Sequence, residues 1–408
     1  MRTLRSATLA FALLAACAVL MPTLAVYAPL GLAPLFTVAA VVLLLARARD
    51  VGGSVREVAP LASLLLLLAL WATLSAAWSI LPRHSFLEGL RLLAVSAGGL
   101  VLLGAGRALE PPQRGRLRIA MIAGVAFAIL LLLIEGSTDA ALAHFIFARP
   151  GLTLTRFDRG TTVLVLVLWP AVVALGRRGV AWSLLLGAAG TLAVLLMHSS
   201  AAALALAASV AAFVVAWWWP RLVALTLAAA VALLAGALPY ALPSDRAVVA
   251  IHQDAPWIKY SGIHRLMIWR FTADRIAERP WLGWGMDASR ALPGSRTDLA
   301  QLYPRAGLTP DATALPLHPH DAALQWRVEL GPVGALLCVA IVCWSVWRVA
   351  RAPRLGRAER AGALGWATAA LIIAMLSYGA WQAWWLSGLW LTAALYAAAL
   401  GEGEASSS

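Results

Sequence analysis

Charged residues are scarce in this chain. Only 12% of its 408 residues are Asp, Glu, Lys or Arg, while 62% are hydrophobic, whereas an average soluble domain has about 25% charged residues. Lysine is almost absent, because Lys259 is the one lysine in the sequence. A composition this apolar excludes an ordinary soluble domain and predicts an all-α integral membrane protein.

Cysteine is also rare. The three cysteines, Cys17, Cys338 and Cys343, all fall inside apolar runs, so the sequence offers neither a disulfide framework nor a paired-cysteine metal site. The net charge of +13 would suggest a nucleic-acid partner in a soluble protein. Here the arginines cluster in short gaps between apolar runs and indicate membrane topology instead. We therefore expect no nucleic-acid partner.

The apolar runs predict about twelve transmembrane helices, since a bilayer core about 30 Å thick needs about 20 apolar residues per helix. The runs lie near residues 7–26, 29–46, 59–79, 87–106, 119–135, 161–176, 180–197, 201–219, 221–239, 321–347, 362–379 and 381–400.

Arginine is distributed unevenly between the two sides that these spans define. If the N-terminus is inside, the short outer gaps hold only Arg83, Arg91, Arg149, Arg156 and Arg159. Because cytoplasmic loops are enriched in basic residues, both termini are predicted to be cytoplasmic. The arginines of the inner gaps are Arg2, Arg5, Arg47, Arg49, Arg56, Arg107, Arg114, Arg116, Arg118, Arg177, Arg178, Arg221, Arg348, Arg351, Arg354, Arg357 and Arg360.

This topology divides the chain into four parts. Residues 1–239 form nine spans with a small outer loop near 136–160, residues 240–320 form one large outer loop that contains helices, residues 321–400 form three spans, and residues 401–408 form a cytoplasmic tail. The spans carry almost no charge at mid-depth, which disfavours an ion-coupled transporter. Chemistry is therefore expected in the outer loops.

Residues 259–280 of the large loop predict a helix that Pro280 ends. At 100° per residue, Arg265, Arg275 and Arg279 fall within an arc of about 80° and form a candidate anion-binding cluster. Pairing with Asp274 and Glu278 is the alternative for Arg275 and Arg279. Arg265 differs because large apolar residues surround it in the sequence, and a charge in such surroundings needs a partner or a ligand.

Two further stretches follow that helix, one with a pair of glycines and one rich in proline and glycine. In "RPWLGWGMDAS", residues 279–289, Gly283 and Gly285 allow a tight turn or a close approach of the backbone. Residues 290–317 show no periodicity and predict a loop that covers a site.

The large loop returns to the membrane at "HPHDAALQWRVELG", residues 318–331. Asp321 is a predicted cap for the next helix, and His320 is a candidate base at the water–lipid boundary. His320 and Arg327 are seven residues apart and are predicted to line one face, while Glu329 points the other way and pairs inside the bundle. The alternative role for His320 is a structural hydrogen bond at the helix terminus. The same two roles, functional or structural, are open for His318.

Taken together, these motifs resemble the O-antigen ligase and O-antigen polymerase superfamily. Members typically show Arg followed by Trp four residues later, then "P-hydrophobic-G-x-G", then "His-Asn" ahead of "E-hydrophobic-G-x-x-G". The positions here are Arg265, Trp269, Pro280, Gly283, Gly285, His320, Glu329, Gly331 and Gly334.

The resemblance implies a glycosyl transfer in the periplasm, at the bacterial inner membrane. The donor is a glycan on undecaprenyl diphosphate, and in the ligase branch the acceptor is lipid A-core. Arg265 and His320 are then catalytic. The residues expected to bind substrate are His318, Arg156, Arg159, Arg275, Arg279, Trp269 and Arg327. A polymerase, which uses a second lipid-linked glycan as acceptor, and a polytopic transporter or flippase are the alternatives.

Two departures from the family pattern bear on the site. Asp321 stands where Asn is usual, and a carboxylate there would favour the protonated form of His320. Ser200 is followed by Ala201 where an arginine is usual, and His198, Arg156 and Arg159 are candidates to supply that charge.

No metal or other cofactor is expected. Asp311 and Asp321 flank the two histidines, but a divalent ion needs several ligands arranged together. The first outer gap, near residue 29, also lacks the carboxylate that metal-dependent membrane glycosyltransferases generally carry early in the chain.

Overall fold

The computed structural model describes residues 2–47, 55–149, 151–255, 257–309 and 312–400. Arg49, Asp311 and the predicted tail 401–408 lie outside the described residues, as do the side chains of Arg2, Arg5, Arg47 and Arg56. The described residues are helical apart from turns and one isolated antiparallel bridge between Asp298 and Thr313. This confirms the all-α prediction.

Seventeen α-helices are described. They are α1 Arg2–Tyr27, α2 Leu32–Arg47, α3 Val55–Leu74, α4 Pro82–Arg107, α5 Pro111–Ser137, α6 Ala141–Phe147, α7 Asp158–Gly176, α8 Val180–Leu196, α9 Ser200–Trp218, α10 Pro220–Gly236, α11 Leu238–Ala241, α12 Asp245–Asp254, α13 Tyr260–Glu278, α14 Leu299–Leu302, α15 Ala322–Ala350, α16 Arg357–Leu376 and α17 Ala383–Leu400. Short 3-10 helices lie at Pro29–Gly31, Ser75–Ala77, Leu154–Phe157 and Ser289–Ala291.

Ten of the described helices are long and apolar enough to cross a membrane. The predicted spans near 180–197 and 221–239 correspond to α8 and α10, which are apolar but have 17 residues each. A helix of that length is at the lower limit for crossing a bilayer. The chain is therefore a multi-pass membrane protein.

The bundle is organised around α7. This helix packs against α1, α5, α8, α16 and α17, and almost all of its side chains are buried. A helix that is apolar all round belongs in the interior of a bundle. Its first turn, which carries Asp158 and Arg159, therefore lies near the centre of one side of the molecule.

Two sides of the bundle differ in character. Arginines concentrate at the connections from α4 to α5, α7 to α8, α9 to α10 and α15 to α16, which we call the basic side. There Arg177 donates a hydrogen bond to Glu359 over 2.8 Å. The opposite side, which we call the loop side, carries residues 242–321 packed on the remaining helix ends.

The loop side contains a broken helix. Gly331 has a φ of 64° inside α15, and Pro332, which has no N–H, follows it. Three carbonyls just before the break lose their helical donors and gain others: Trp284 N–H donates to Val328, Gly285 N–H donates to Glu329, and Trp71 Nε1–H donates to Leu330. The loop and Trp71 therefore satisfy these three carbonyls at the break.

Both glycines at the contact between the loop and the break are required by the close approach of two backbones. Gly283 has a φ of +69°, and a Cβ there would lie 2.5 Å from the Glu329 carbonyl oxygen. A Cβ on Gly331 would overlap the Trp281 carbonyl oxygen. The motif "PWLGWG" therefore serves to dock the loop against the motif "ELG" of α15.

Candidate functional site

The segment His318–Asp321 forms the centre of the candidate site. Trp269 Nε1–H, on α13, donates a 3.0 Å hydrogen bond to the Pro319 carbonyl, and the backbone at Gly379 packs on the ring of His318. His320 has a φ of 57°, so the chain turns sharply just before α15 begins. Trp269 therefore positions the histidine segment. Among the described residues, none of the contacts of Trp269 indicates that it binds a ligand.

Hydrogen bonds fix the proton positions on both histidines. His320 Nδ1 lies 2.5 Å from the Ser377 carbonyl oxygen, which can only accept, so Nδ1 carries the proton and Nε2 has a free lone pair. His320 N–H donates to His318 Nδ1 over 3.2 Å, and the two rings are 4.3 Å apart at their centroids. His320 therefore presents the tautomer that a general base requires.

Both histidines are held neutral. Burial lowers the pKa of His320 to about 4, and Arg265 and His264 lower it further, against the hydrogen bond to Ser377. The pKa of His318 is lowered to about 3, mainly by burial and further by the nearby His320, Arg290 and Arg159. The expectation that Asp321 favours a protonated His320 is therefore wrong.

The physical reason lies in the direction of the Asp321 side chain. Its carboxylate accepts a 2.8 Å hydrogen bond from Leu324 N–H at the start of α15, which confirms the predicted cap. The side chain is 2% exposed, and burial raises its pKa to about 7. A carboxylate that points into the helix terminus and is readily neutralised does little to stabilise charge on His320.

Arg265 lies beside the histidines and is half-buried. Burial lowers the pKa of its guanidinium, while Asp158 and Tyr378 act in the opposite direction. Asp158, in the first turn of α7, also accepts a hydrogen bond from the Ser199 hydroxyl. The neighbours of Arg265 therefore come from three separate regions of the chain.

Two further arginines lie near His318. Arg159 is next to Asp158, and its guanidinium lies 5.6 Å from the ring centroid of Trp384. Arg290 donates to Asp287 over 2.6 Å. Both contribute to lowering the pKa of His318. The two histidines thus have three arginines in their neighbourhood, Arg265 near His320 and Arg159 and Arg290 near His318, which suits an anion.

The predicted cluster on α13 is not assembled in the structure. Arg275 pairs with Glu278 at 2.8 Å, and Arg279 lies over the ring of Trp284, 4.1 Å from its centroid. Arg279 is the residue after α13 and has left the helical conformation, so the predicted arc does not reach it. Among the described residues, no contact joins either arginine to Arg265.

Arg156 and Arg327 also lie apart from the histidines. Arg156 is exposed and sits 4.1 Å from the ring centroid of Phe147. Arg327 Nη2 donates to Tyr240 Oη over 3.1 Å, whereas His320 is bonded to Ser377. The prediction that His320 and Arg327 share one face assumes that both lie on a continuous helix. His320 instead lies in a left-handed turn before α15 begins, so the two side chains are not related by helical periodicity.

Glu329 joins the two loops that flank the site. It is fully buried, and it accepts hydrogen bonds from Trp381 Nε1 at 2.6 Å, from Asp287 N at 2.9 Å and from the Ser289 hydroxyl at 2.5 Å. Glu329 is thus paired inside the bundle, as predicted. It holds the loop that carries Arg290 and the loop that follows Ser377.

Comparison with known proteins shows which proteins the chain resembles. Residues 182–339, which include Arg265, His320 and Glu329, match the family model described as O-Antigen ligase. Three similar proteins are each named "Putative polysaccharide ligase": one from Rickettsia conorii (27% identical, covering 72% of this chain and 70% of that protein), one from Rickettsia felis (26%, 80% and 77%) and one from Rickettsia prowazekii (28%, 80% and 78%).

The chain is thus similar to O-antigen ligases over residues 182–339 and to curated polysaccharide ligases over most of its length. The motif residues that carry the sequence resemblance have clear structural roles in this chain. Gly283, Glu329 and Gly331 build the contact between loop and broken helix, while Trp269 and His320 form the site itself.

The superfamily arginine that is missing after Ser200 has a basic neighbour that the sequence did not suggest. Lys259 Nζ donates a 3.1 Å hydrogen bond to Ser200 Oγ, while His198 is exposed. Lys259, Arg290, Asp158 and Tyr378 were all missed as site residues. Lys259 did have a signal, since it is the one lysine in an arginine-rich sequence.

One group of side chains has the composition of a metal site. His84, Glu88 and Asp287 can bring ligand atoms within 4.8 Å of one another. Asp287 is already bonded to His84 at 2.9 Å and to Arg290 at 2.6 Å, and Arg91 pairs with Glu88. A divalent cation would have to displace two guanidinium groups, so these residues fit an ion-pair network better than a metal.

Proposed function

We propose that this protein is an O-antigen ligase of the bacterial inner membrane. It transfers a glycan from undecaprenyl diphosphate to a sugar hydroxyl of lipid A-core, on the periplasmic face. The observation that carries the proposal is the hydrogen bond from His320 Nδ1–H to the Ser377 carbonyl, which leaves the basic Nε2 available near Arg265. The family match supports the polysaccharide-ligase class.

His320 acts as the general base. Nε2 takes the proton of the acceptor hydroxyl as its oxygen attacks the anomeric carbon of the donor sugar. The bond between that carbon and the diphosphate oxygen breaks, and its electron pair leaves with the diphosphate. Ser377 holds the ring and stabilises the imidazolium that forms, because Nδ1–H then donates from a charged ring.

Arg265, Arg159 and Arg290 stabilise the leaving diphosphate. Planar guanidinium groups donate paired hydrogen bonds to phosphate oxygens and compensate the developing charge without a metal. Without substrate, Asp158 and Asp287 balance two of these arginines. A diphosphate therefore competes with carboxylates that are already in place.

Donor binding also adjusts the base. The pKa of His320, about 4, is low partly because Arg265 is close. An anion bound to Arg265 offsets that positive charge and raises the pKa of the histidine towards neutrality. The base therefore becomes stronger when the donor is in place.

The test is transfer by purified protein from a defined lipid-linked donor to lipid A-core. His320→Ala should lower the transfer rate by about 10²- to 10⁴-fold, the usual contribution of a general base, while donor binding and thermal stability stay near wild type. His144→Ala is a matched control, because that ring also bonds a backbone carbonyl, Leu152 at 2.9 Å, in another loop.

Two outcomes would reject parts of the proposal. Wild-type turnover by folded His320→Ala protein would remove the base from the mechanism. Elongation of a second lipid-linked glycan, with no transfer to lipid A-core, would replace the ligase with the polymerase of the same superfamily.

A further inference from the structure

Arg327 is a buried arginine without an acidic partner. It lies in α15 with 9% of its surface exposed. Its one described hydrogen bond is to a neutral group, from Nη2 to Tyr240 Oη over 3.1 Å. Its Nε is buried with no acceptor. Among the described residues, no carboxylate forms an ion pair with it, whereas Arg177 in the same bundle is paired with Glu359.

The surroundings of Arg327 are apolar. Leu324 and Val328, its neighbours on α15, are fully buried in a cluster that also includes Leu238 and Leu242. Those last two residues flank Tyr240 on either side. An uncompensated charge in such surroundings is unfavourable, and ionisable residues within membrane helices usually mark a functional position.

Arg327 lies near the loop-side end of α15, a helix long and apolar enough to cross a membrane. It is five residues after the start of α15 at Ala322, which places it about 8 Å along the helix axis. Tyr240 is 73% exposed, and Trp281 of the neighbouring loop is 76% exposed. Exposed Tyr and Trp side chains are typical of the interface where lipid head groups lie.

We propose that Arg327 and Tyr240 bind the phosphate of a lipid in the leaflet on the loop side, at a site distinct from the histidine pair. The guanidinium supplies the missing charge compensation and a planar pair of donors, and the phenol hydroxyl supplies another donor. The same phosphate chemistry is available from a bulk phospholipid and from a polyprenyl phosphate carrier. The inference depends on membrane placement alone, independently of the proposed glycosyl transfer.

The experiment measures lipid binding to the purified full chain in non-ionic detergent, by thermal shift and native mass spectrometry. The probes are phosphatidic acid, phosphatidylglycerol, diacylglycerol and inorganic phosphate. Tyr240→Phe should weaken phosphatidic acid binding about tenfold, the loss of one hydrogen bond to a charged group. Arg327→Met should weaken it by about a hundredfold or more. Arg270→Met, which removes an arginine paired with Asp274 on α13, is the matched control and should have no effect.

A second readout separates a binding site from a structural arginine. Without added lipid, Arg327→Met should unfold at the same or a higher temperature than wild type, because the variant removes an uncompensated buried charge. His320→Ala should bind phosphatidic acid as wild type does, so this result is independent of the transfer chemistry.

Three results would overturn the proposal. They are unchanged phosphatidic acid affinity in Arg327→Met, equal binding of diacylglycerol, which lacks the phosphate, and equal stabilisation by inorganic phosphate alone. Competition between phosphatidic acid and a short-chain polyprenyl phosphate identifies the carrier as an occupant, and its absence identifies bulk phospholipid. Either of these last two outcomes supports a lipid-phosphate site.

Discussion

Identical side chains on α13 have different roles because their neighbours differ. Arg270 is paired with Asp274 one turn away at 2.6 Å, and such exposed pairs contribute little to stability. Arg265 has no partner on its own helix, and its neighbours are Asp158, Tyr378 and His320. Arg265 is therefore the arginine of α13 for which a substrate contact is expected.

Substitution of Arg265 by lysine tests bidentate phosphate recognition. Lysine keeps the charge but lacks the planar fork, so donor-dependent transfer by Arg265→Lys should fall by about 10² or more, at near wild-type thermal stability in detergent. Arg270→Lys is the matched control and should stay active. Full activity of Arg265→Lys, or losses that only follow the amount of folded protein, would make Arg265 structural.

Asp321 makes a pH-dependent contribution to stability. Its pKa in the folded protein, about 7, is above the value of an unfolded chain, so its contribution to stability is complete below the unfolded pKa and is lost as pH rises through the folded pKa. Asp321→Asn keeps the helix cap without titrating. The advantage of the variant should grow from pH 4.5 to about pH 7, to at most about 4 kcal/mol, and then level off.

Thermal unfolding of both proteins across that pH range measures the effect. His318 and His320 have lowered pKa values and act in the opposite direction, but they are present in both proteins and cancel in the difference. If the difference in melting temperature between wild type and Asp321→Asn does not change with pH, Asp321 is ionised throughout this range.

At the scale of elements, the broken helix α15 joins the loop to the bundle. The loop donates backbone hydrogen bonds to carbonyls that the break leaves open, and Glu329 binds the same loop through its side chain. The position of Arg290 next to the histidines therefore depends on the unwound turn at Gly331.

Gly331→Ala should disrupt this contact. Alanine is strained at a φ of 64°, and its Cβ would overlap the Trp281 carbonyl oxygen, so we expect a loss of about 1–3 kcal/mol in stability and reduced transfer. Gly104→Ala is the matched control, because nothing lies within 4 Å of a Cβ at that helical position. Equal melting temperatures for the two variants would contradict this account of the break.

At the scale of the whole molecule, the site lies where many helix ends meet. Six segments of the chain contribute to it: residues 158–159, 199–200, 259–269, 287–290, 318–321 and 377–384. The opposite side carries the arginines that predict a cytoplasmic orientation.

Metal independence is a prediction for the whole enzyme. The group formed by His84, Glu88 and Asp287 is already balanced by Arg91 and Arg290, and guanidinium groups can stabilise the leaving diphosphate. Transfer should therefore be unchanged in excess EDTA. Activity that chelation removes and that Mg²⁺ or Mn²⁺ restores would assign the reaction to a metal held by residues such as these.

Much of the site could be predicted from local patterns. Arg265 stood out because its sequence neighbours are apolar, and His320 because it follows a loop at a membrane boundary. Arg279 was grouped with Arg265 because the periodicity was extended one residue past the end of α13, whereas Arg275 is on the helix but pairs with Glu278. Arg290 could not be placed, because its position depends on Glu329 and Asp287.

The sequence by itself determined the membrane class, the helices and the cap at Asp321, because hydropathy, periodicity and capping depend on residues close together in the chain. Only the tertiary structure decided which charges meet. The neutral state of His320 depends on Ser377, Arg265 and burial, and the bond from Lys259 to Ser200 joins segments far apart in sequence. Electrostatics and desolvation act through space, so no local pattern contains them.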